Sequence, residues 1–377
     1  MHVLLASHRY YPVPGGTERA VQTLAEGLVR RGWRATVVTQ IEPGVPASEV
    51  LNGVQVIRIP VRPFAGIRFP SGYLRTLRGI DADLFHLHGN RIWCADFYFP
   101  RAGSFSWPQV LTGYGFYQWE MHPGWFDRWY FQRYFPGRVR RFDAYTTSTE
   151  RERGQLLRWG VRPEMLVPVA LGVPLDEFTA PASDPAVLRE GWKLERPLVA
   201  VYAGGFFENK RVDRLVEAIA PVRDRWALVA IGRDQPGSPH DLAECRSLAE
   251  RAGVEFRAPG VLDRRDVIRA LYTADAVVLG SEYEGFGLLP VEAMAAGRPF
   301  VAYESGAVPE MAATGAGTVV RTAAEFAAAL SRLEDRAERE RRGAIGRSTA
   351  SFYSAEAMVD RFVAVYRRVL GEPATVA

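Results

Sequence analysis

The chain has 377 residues, 47% of them hydrophobic, so it can bury substantial cores and we expect two domains. Its formal net charge of +4 could indicate nucleic-acid binding, but 45 of its 47 basic residues are arginines interleaved with 43 acidic residues, and we expect no nucleic-acid partner. No apolar run approaches the roughly 18 residues of a membrane-spanning helix. The two distant cysteines, Cys94 and Cys245, favour a reducing, cytoplasmic compartment.

Alternating strand and helix patterns fill the first half of the chain. Short apolar runs predict strands, and apolar residues at helical spacing predict the helices between them. The strands are expected at residues 2–7, 35–39, 54–59, 84–88, 109–112, 143–148 and 165–169, and the helices at 17–31, 73–79 and 149–160. Strand, helix and strand in succession predict a parallel sheet, so residues 1–172 are expected to form one α/β domain.

Two features of this half follow predicted strands, at the edge where open α/β sheets bind ligands. Gly15 and Gly16 come after the first strand and by themselves indicate only a tight turn, with Thr17 as the helix N-cap. His86 and His88 alternate along their strand, so their side chains point to the same face. They could contact a ligand or be buried for structural reasons.

The segment 116–142 is unusual in composition, with eleven aromatic residues and five arginines against two acidic residues. A hydrophobic core could absorb many of these rings. The same density of tryptophan, tyrosine and arginine also suits a surface that contacts lipid head groups or a lipid pyrophosphate acceptor. Membrane or lipid contact, protein contact and core packing all stay open for this segment.

A second α/β pattern follows a connector at residues 170–190. Its strands are expected at residues 198–203, 228–232, 254–257, 276–279 and 300–302. Its helices are expected at 212–219, 241–252, 264–273, 288–296 and 323–333, with a charged helical run to 342 and a last helix at 355–370. We therefore place a second domain at residues 173–353.

The most informative pattern is a strand, a glycine turn and a helix within residues 275–297. A glycine turn before a helix presents unpaired backbone N–H groups and a positive dipole end, which suits a phosphate group. Glu284 and Glu292 flank this turn and are better suited to accept hydrogen bonds from ribose or sugar hydroxyls. Together these features predict a sugar nucleotide as ligand. In the alternative reading, Glu292 supports the helix start and Glu284 is a solvated loop residue.

A second phosphate-binding candidate precedes the helix expected from residue 212. Gly204 and Gly205 follow the strand at 198–203, and Lys210 and Arg211 come just before the helix. The helix dipole disfavours cations at this end unless an anion is bound nearby. Lys210 is therefore a candidate phosphate ligand, with a solvated surface charge as the alternative.

The stretch from Ser281 to Gly297 resembles the donor-site signature of retaining glycosyltransferases of family four. The matching residues are Ser281, Glu284, Gly285, Phe286, Gly287, Glu292, Ala293, Met294, Ala295 and Gly297. The resemblance covers nearly the whole chain and is most specific over residues 198–311. It implies the GT-B fold, in which two Rossmann-like, doubly wound α/β domains with parallel sheets face each other across a cleft. It also implies that the helix within 354–377 packs back on the first domain.

The resemblance implies transfer of a sugar from a nucleoside diphosphate donor to an acceptor hydroxyl, with retention at the anomeric carbon and without a cofactor or required metal. Glu284 and Lys210 would be the catalytic residues. The implied donor-binding residues are Gly15, Gly16, Gly204, Gly205, Lys210, Arg211, Gly232, Arg233, Val261, Glu284, Gly285, Phe286, Gly287, Leu288 and Glu292. The candidates on the acceptor side are His86, His88, Tyr114 and His122. The acceptor would be a glycan or a lipid-linked molecule, reached at the inner face of the membrane if residues 116–142 contact it.

The chain departs from the family pattern at three positions, one of which is Leu171 in place of the asparagine usual in the family's linker. Gly205 stands where members carry a phosphate-binding arginine, which Arg211 or Arg233 could replace. Tyr114 stands where many members carry a histidine close to the transferred sugar, and tyrosine is a poor proton carrier near neutral pH. These departures also fit a degenerate member that binds a sugar nucleotide or a partner enzyme without turnover. A third hypothesis, a nucleotide-sugar epimerase or a phosphorylase, should show other acid/base groups.

Overall fold

The computed structural model describes residues 1–13, 15–64, 67–116, 124–178 and 185–372. The chain divides into two compact units, the first formed by Met1–Gly172 with Ala355–Ala377 and the second by Val173–Ser354. Each unit contains a main sheet of parallel or largely parallel strands connected by helices. The α/β class expected from the sequence is therefore confirmed.

The described strands and helices are numbered here along the chain. The strands are β1 (His2–Ser7), β2 (Arg34–Gln40), β3 (Ser48–Leu51), β4 (Val54–Ile59), β5 (Val61–Phe64), β6 (Ile67–Pro70), β7 (Leu84–His88), β8 (Gln109–Thr112), β9 (Ala144–Thr147), β10 (Leu166–Pro168), β11 (Leu198–Ala203), β12 (Trp226–Ile231), β13 (Phe256–Gly260), β14 (Ala276–Leu279), β15 (Phe300–Tyr303) and β16 (Gly317–Val320). The helices are α1 (Gly16–Arg30), α2 (Tyr73–Arg78), α3 (Trp93–Tyr98), α4 (Trp125–Trp129), α5 (Phe135–Val139), α6 (Glu150–Arg158), α7 (Pro185–Gly191), α8 (Val212–Ile219), α9 (Leu242–Ala252), α10 (Arg264–Thr273), α11 (Leu288–Ala295), α12 (Val308–Ala312), α13 (Ala323–Arg332), α14 (Arg336–Ala350) and α15 (Ala355–Val369).

The main sheet of the first unit has the strand order β10-β9-β8-β7-β1-β2-β4-β3. Its described pairs are parallel except β3 with β4, and β5 and β6 form a separate antiparallel hairpin. Every residue of β1 and β7 is buried, as expected for a parallel sheet covered on both faces. The chain leaves β1 towards β2 on one side and later returns to β7 on the other. The topological switch point, where such sheets form ligand crevices, therefore lies between the carboxyl ends of β1 and β7.

Helices α1 and α15 pack against each other within the first unit. The buried residues of α1 recur at helical spacing and include Val21, Leu24 and Leu28. Tyr366 of α15 lies in the core of this unit, where its hydroxyl contacts His86 of β7. The expectation that Thr17 caps α1 is wrong, because the helix begins at Gly16 and its N-cap is Gly15.

The aromatic segment is divided between core and surface. Within its described part, α4 and α5 are joined by a π-helical turn over Tyr130–Tyr134. Several of its rings are buried in the core of the first unit: Phe116, Tyr130, Phe131, Phe135 and Phe142. Trp125 and Trp129 instead remain 82% and 49% exposed. Core packing thus accounts for much of the unusual composition, and two tryptophans stay at the surface.

The six strands of the second unit are all parallel, in the order β13-β12-β11-β14-β15-β16. The chain moves from β11 to β12 on one side and crosses to β14 on the other. The switch point of this unit therefore lies between the carboxyl ends of β11 and β14. The residues that follow these two strands include Lys210 and Glu284.

Some elements differ from those expected. The strand predicted at 254–257 runs from Phe256 to Gly260. The following elements were not predicted: β3, β5, β6, β16, α3, α4, α5, α7 and α12. The charged helix α14 continues past 342 to Ala350. A Cβ atom on Gly343 of α14 would lie 2.2 Å from the carbonyl oxygen of Gly297. The missing side chain of Gly343 therefore allows α14 to pack closely against the end of α11. Among the described helices, none has the length and apolar character needed to cross a membrane.

Candidate functional site

The switch point of the second unit brings together the two residues predicted to be catalytic. Lys210 Nζ donates to Glu284 Oε1 at 2.7 Å, and Ser281 Oγ donates to the same oxygen at 2.7 Å. Ser281 is fully buried, and the Lys210 and Glu284 side chains are 25% and 14% exposed. The Glu284 carboxylate is therefore held by one neutral and one charged donor at the rim of the sheet.

The loop that carries Lys210 is fastened to the turn that carries Glu284. The carbonyl oxygen of Asn209 accepts from Glu282 N at 3.0 Å, and its side-chain Nδ2 donates to the carbonyl oxygen of Tyr283 at 3.3 Å. These contacts follow from the pairing of β11 with β14, which places the two loops side by side. No local pattern could reveal them, because their partners are more than 70 residues apart.

The turn before α11 has the geometry of an anion site. Gly287 is the N-cap of α11 with φ 95°, a left-handed conformation that glycine adopts without a Cβ penalty. Phe286 is buried, and its carbonyl oxygen accepts from Ala307 N at 2.9 Å, which fixes the turn from below. The first turn of α11 contains no acidic residue, and no side chain caps its N-terminus. The N–H groups that follow Gly285 and the positive helix end are thus available to a phosphate oxygen.

Arg211 and Arg233, which could replace the family arginine missing at position 205, both contact other side chains. Arg211, the N-cap of α8, forms a bidentate ion pair with Asp213, with an Nη2–Oδ2 distance of 2.8 Å, and this pairing raises the pKa of its guanidinium. The guanidinium of Arg233 lies over the ring of Phe207 at 5.6 Å. Lys210 is therefore the predicted cation nearest to Glu284.

Three glycine loops line the carboxyl edge of β11, β12 and β13. Gly204 N donates to Ile231 O at 2.8 Å, and Gly232 N donates to Gly260 O at 2.9 Å. Val261, the next residue along the edge, is 69% exposed. The candidate donor residues Gly204, Gly232 and Val261 thus lie on adjacent loops.

We expect the substitution Gly232→Ala to destabilise the second unit strongly. Gly232 has φ 149°, and an added Cβ would stand 1.5 Å from the carbonyl oxygen of Gly204. Because neither backbone can yield without breaking the edge contacts, a loss of about 3 kcal/mol or more is expected from urea unfolding. Gly237→Ala is the matched control, since Gly237 also has a positive φ but nothing lies within 4 Å of its Cβ position. Equal losses for the two variants would contradict the steric argument.

Glu292 belongs to an ion-pair chain that the sequence did not reveal. Arg264 Nη1 donates to Glu292 Oε1 at 2.6 Å, and Arg264 Nε donates to Glu177 Oε2 at 2.8 Å. The guanidinium also lies over the ring of Phe178 at 5.3 Å. Asp263 is the N-cap of α10, which makes Arg264 the first residue of the helix and places its side chain beside Glu292. The carboxylate predicted to hold the ribose is therefore fixed by an arginine 28 residues away.

Two of the acceptor-side candidates, His86 and His88, are fully buried in the first unit, whereas Tyr114 is partly exposed. His86 is bonded at both ring nitrogens, to Tyr366 Oη at 2.7 Å and to Thr112 Oγ1 at 2.8 Å. His88 Nδ1 lies 2.9 Å from Tyr114 Oη. The rings of His86 and His88 are 3.8 Å apart, so both do point to one face, as predicted. His86 thus has a structural role, and His122 lies outside the described residues.

Gly15 and Gly16 lie at the start of α1, and Pro14 before them is outside the described residues. A Cβ atom on Gly15 would lie 2.0 Å from a carboxylate oxygen of Glu18. Burial raises the pKa of that Glu18 carboxyl. Any side chain at position 15 would therefore displace the Glu18 carboxylate.

The buried histidines predict a loss of stability on the acid side. Burial lowers the pKa of His88 to about 3 and that of His86 well below the usual 6.5. Between pH 6.5 and 3 the unfolded chain binds protons that the folded chain does not, so the free energy of unfolding falls as pH falls. Each such proton contributes a slope of up to about 1.4 kcal/mol per pH unit. Urea unfolding at pH 7, 6 and 5 should show a shallower loss for His88→Asn than for the unmodified chain, and an unchanged slope would contradict the assignment.

Two family models cover most of the chain. Residues 187–349 match "Glycosyl transferases group 1", and residues 15–172 match "Glycosyl transferase 4-like domain". A D-inositol 3-phosphate glycosyltransferase of Xylanimonas cellulosilytica is 30% identical over 323 residues, which is 76% of this chain and 75% of the relative. The protein of the same name from Thermobifida fusca is 30% identical, over 60% of this chain and 56% of its own length.

Solved structures share the fold over nearly the whole chain. Sucrose-phosphate synthase from Thermosynechococcus elongatus superposes with a TM-score of 0.81 at 21% identity, covering 98% of this chain and 99% of that one. Anabaena HepE in complex with UDP-glucose has a TM-score of 0.79 at 17% identity, and the superposition covers 96% of this chain and 98% of HepE. At these identities the likeness shows the fold, and the expected GT-B fold is confirmed.

Proposed function

Since the chain belongs to the group 1 glycosyltransferases, we propose that it transfers a sugar from a nucleoside diphosphate donor to an acceptor hydroxyl, with retention at the anomeric carbon. The observation that carries this proposal is the grouping of Lys210, Glu284 and the N-terminus of α11 at one switch point. A lysine, a helix N-terminus and a carboxylate within one loop cluster suit a ligand that is anionic at one end and hydroxylated at the other. A nucleotide sugar has both features.

In the proposed reaction the bond between the anomeric carbon and the diphosphate oxygen breaks, and a bond from that carbon to the acceptor oxygen forms. The acceptor's hydroxyl proton passes to the departing phosphate oxygen. The role of Lys210 and the N–H groups of α11 is to stabilise the negative charge that grows on the diphosphate. Glu284 holds hydroxyls of the donor sugar, and Glu292 holds the ribose. We propose that these protein charges suffice without a divalent cation, so EDTA should leave the rate unchanged.

Donor binding requires Lys210 to change partners. Its ammonium now donates to Glu284 Oε1, whereas the proposal needs it on the diphosphate. Ser281 stays on the same oxygen and keeps the carboxylate in position after the lysine leaves. The Glu284 oxygen that loses the ammonium can then accept a hydrogen bond from a sugar hydroxyl, so phosphate and sugar recognition are linked.

The substitution Arg264→Gln tests the role of Glu292. Without the guanidinium, the Glu292 carboxylate loses its 2.6 Å donor, and the donor KM should rise roughly tenfold with a smaller change in kcat. A donor with a deoxyribose should already bind poorly to the unmodified enzyme, and the variant should lose most of that discrimination. Arg269→Gln is the matched control on the same helix, because Arg269 pairs with Asp266. If Arg264→Gln still bound the deoxyribose donor as much more weakly than the ribose donor as the unmodified enzyme does, Arg264 would not act through ribose recognition.

The direct test is to incubate the purified chain with a panel of nucleotide sugars and to measure diphosphate release with and without a lipid or glycan extract. Release that depends on the extract supports transfer. The absence of the family arginine at position 205 and of histidine at 114 favours one alternative, a member that binds donors without turnover. Tight nucleotide binding without release for any donor and acceptor would favour that alternative. We propose a glycan or lipid-linked acceptor in polysaccharide or glycolipid synthesis.

A further inference from the structure

A cavity of about 630 Å³ opens beside the switch point of the first unit. His8, which follows β1, and Arg91, which follows β7, both line it, together with Arg68 of the β5–β6 hairpin and the aromatic helical segment. Small-molecule sites occupy roughly 300–1,000 Å³ and collect at such switch points. The cavity therefore has the size and the place of a substrate site, and none of the four acceptor-side candidates from the sequence lines its described walls.

One wall of the cavity is aromatic. The indole of Trp129 is 49% exposed and stacks on Tyr134 with a centroid distance of 5.8 Å. Trp93 is almost fully buried, and its Nε1 finds no hydrogen-bond partner among the described residues. Flat aromatic faces pack against the C–H face of a sugar ring, and an unpaired indole N–H can donate to a hydroxyl.

A π-helical turn shapes this wall. Tyr130 and Tyr134 belong to the turn that joins α4 and α5, and both line the cavity. Single π-helical turns within α-helices occur frequently at functional sites, because the extra residue redirects neighbouring side chains. The turn thus provides a local reason why two tyrosines four residues apart face the same cavity.

The other wall is positively charged. Arg68 Nη1 donates to the neutral amide of Gln40 at 3.2 Å, and the Arg91 guanidinium lies 5.8 Å from the ring of Tyr130. Among the described lining residues the acid is Asp96, which accepts from the Tyr130 hydroxyl, and burial raises the pKa of its carboxyl. Burial lowers the pKa of His8 to about 4, so its imidazole is neutral near pH 7. Two guanidinium groups thus face one partly buried carboxyl, and the charge balance favours an anionic ligand.

We infer that this cavity binds the acceptor, and that the acceptor is a saccharide carrying an anionic group, either a carboxylate or a phosphate. The inference rests on the proposed glycosyl transfer and names the substrate class for the acceptor. The sugar ring packs on Trp129, and the anionic group pairs with Arg68 and Arg91. Both kinds of contact are needed, because stacking alone does not select charge and an arginine alone does not select a sugar.

Binding of monosaccharides without any donor tests this inference separately from turnover. Glucuronic acid, glucose 1-phosphate and glucose are compared by saturation-transfer NMR on the full chain carrying Lys210→Ala, which weakens phosphate binding at the donor site. Both anionic sugars should bind about tenfold more tightly than glucose. Arg68→Gln should remove that preference, and Trp129→Ala should weaken all three sugars about tenfold. Arg62→Gln, an exposed arginine on the same hairpin, is the matched control.

Three results would overturn the inference. The first is equal binding of glucose and the anionic sugars. The second is sugar binding that neither Arg68→Gln nor Trp129→Ala weakens. The third is binding of anionic phosphatidylglycerol vesicles that requires Trp129 while no sugar binds, which would assign the cavity's rim to a lipid surface. Because no donor is present, a failure here leaves diphosphate release from the donor as a separate question.

Discussion

Lys210→Ala should lower kcat/KM by about 10²–10³-fold, the usual cost of removing one donor that stabilises a developing oxyanion. Of the predicted phosphate-binding cations, Lys210 is the one that pairs with Glu284, while Arg211 pairs with Asp213 and Arg233 lies over the ring of Phe207. Steady-state kinetics with the donor identified by the panel gives the measurement. The chain offers a matched control, because Lys193, its other lysine, is exposed and lies outside the site.

Stability separates a role in catalysis from a role in folding. Lys210→Ala leaves the Glu284 carboxylate bonded to Ser281 but without its cation, so a small drop in melting temperature is expected. The double variant with Glu284→Gln also removes the negative charge that lost its ammonium partner, so it should regain that stability while staying inactive. If Lys210→Ala kept normal rates, or if Lys193→Ala lost activity equally, the phosphate role of Lys210 would be wrong.

Glu284→Gln should lower kcat by about 100-fold with little change in folding, because a neutral amide keeps the shape but loses the charge-assisted hydrogen bonds to sugar hydroxyls. The amide oxygen can still accept from Ser281. A donor lacking the hydroxyl that Glu284 holds should show no further loss with this variant. Non-additive losses of rate from the change in the donor and the change in the enzyme would therefore show that Glu284 contacts this hydroxyl.

The neighbouring carboxylate is the control for Glu284. The Glu282 side chain is 43% exposed, and its Oε2 lies 3.7 Å from Arg211 Nη1. An ion pair at such exposure contributes little to stability. Glu282→Gln should therefore retain rates within about twofold of the unmodified enzyme. Loss of activity in Glu282→Gln to the extent seen in Glu284→Gln would point to general electrostatics of the turn and contradict a specific contact to the sugar.

The sequence predicted the donor turn because all of its determinants are local. A strand, a positive-φ glycine and an uncapped helix start succeed each other within residues 276–295, and the structure has each of them there. Lys210 was also identified locally, from a cation at the start of a helix. The pairing of Lys210 with Glu284 was not, because it depends on β11 lying beside β14.

The residues that sequence reasoning missed are held by distant partners. Arg264 reaches both Glu177 and Glu292, and no period or motif links these three positions. In the aromatic segment, composition could not divide core from surface. The structure buries Phe135 and exposes Trp129, because the helical turn over Tyr130–Tyr134 turns one face inward. Tertiary packing thus determines which aromatic residues are exposed on the acceptor side. The donor turn, in contrast, is determined by local backbone conformation.

The measurement that bears most directly on the donor site is a crystal structure with a bound nucleoside diphosphate. We expect the diphosphate to contact the N–H groups after Gly285 and the ammonium of Lys210, which will have left Glu284, with the ribose at Glu292 beside Arg264. A diphosphate bound elsewhere, or a Lys210–Glu284 ion pair that stays closed at 2.7 Å with the nucleotide present, would contradict the proposed site.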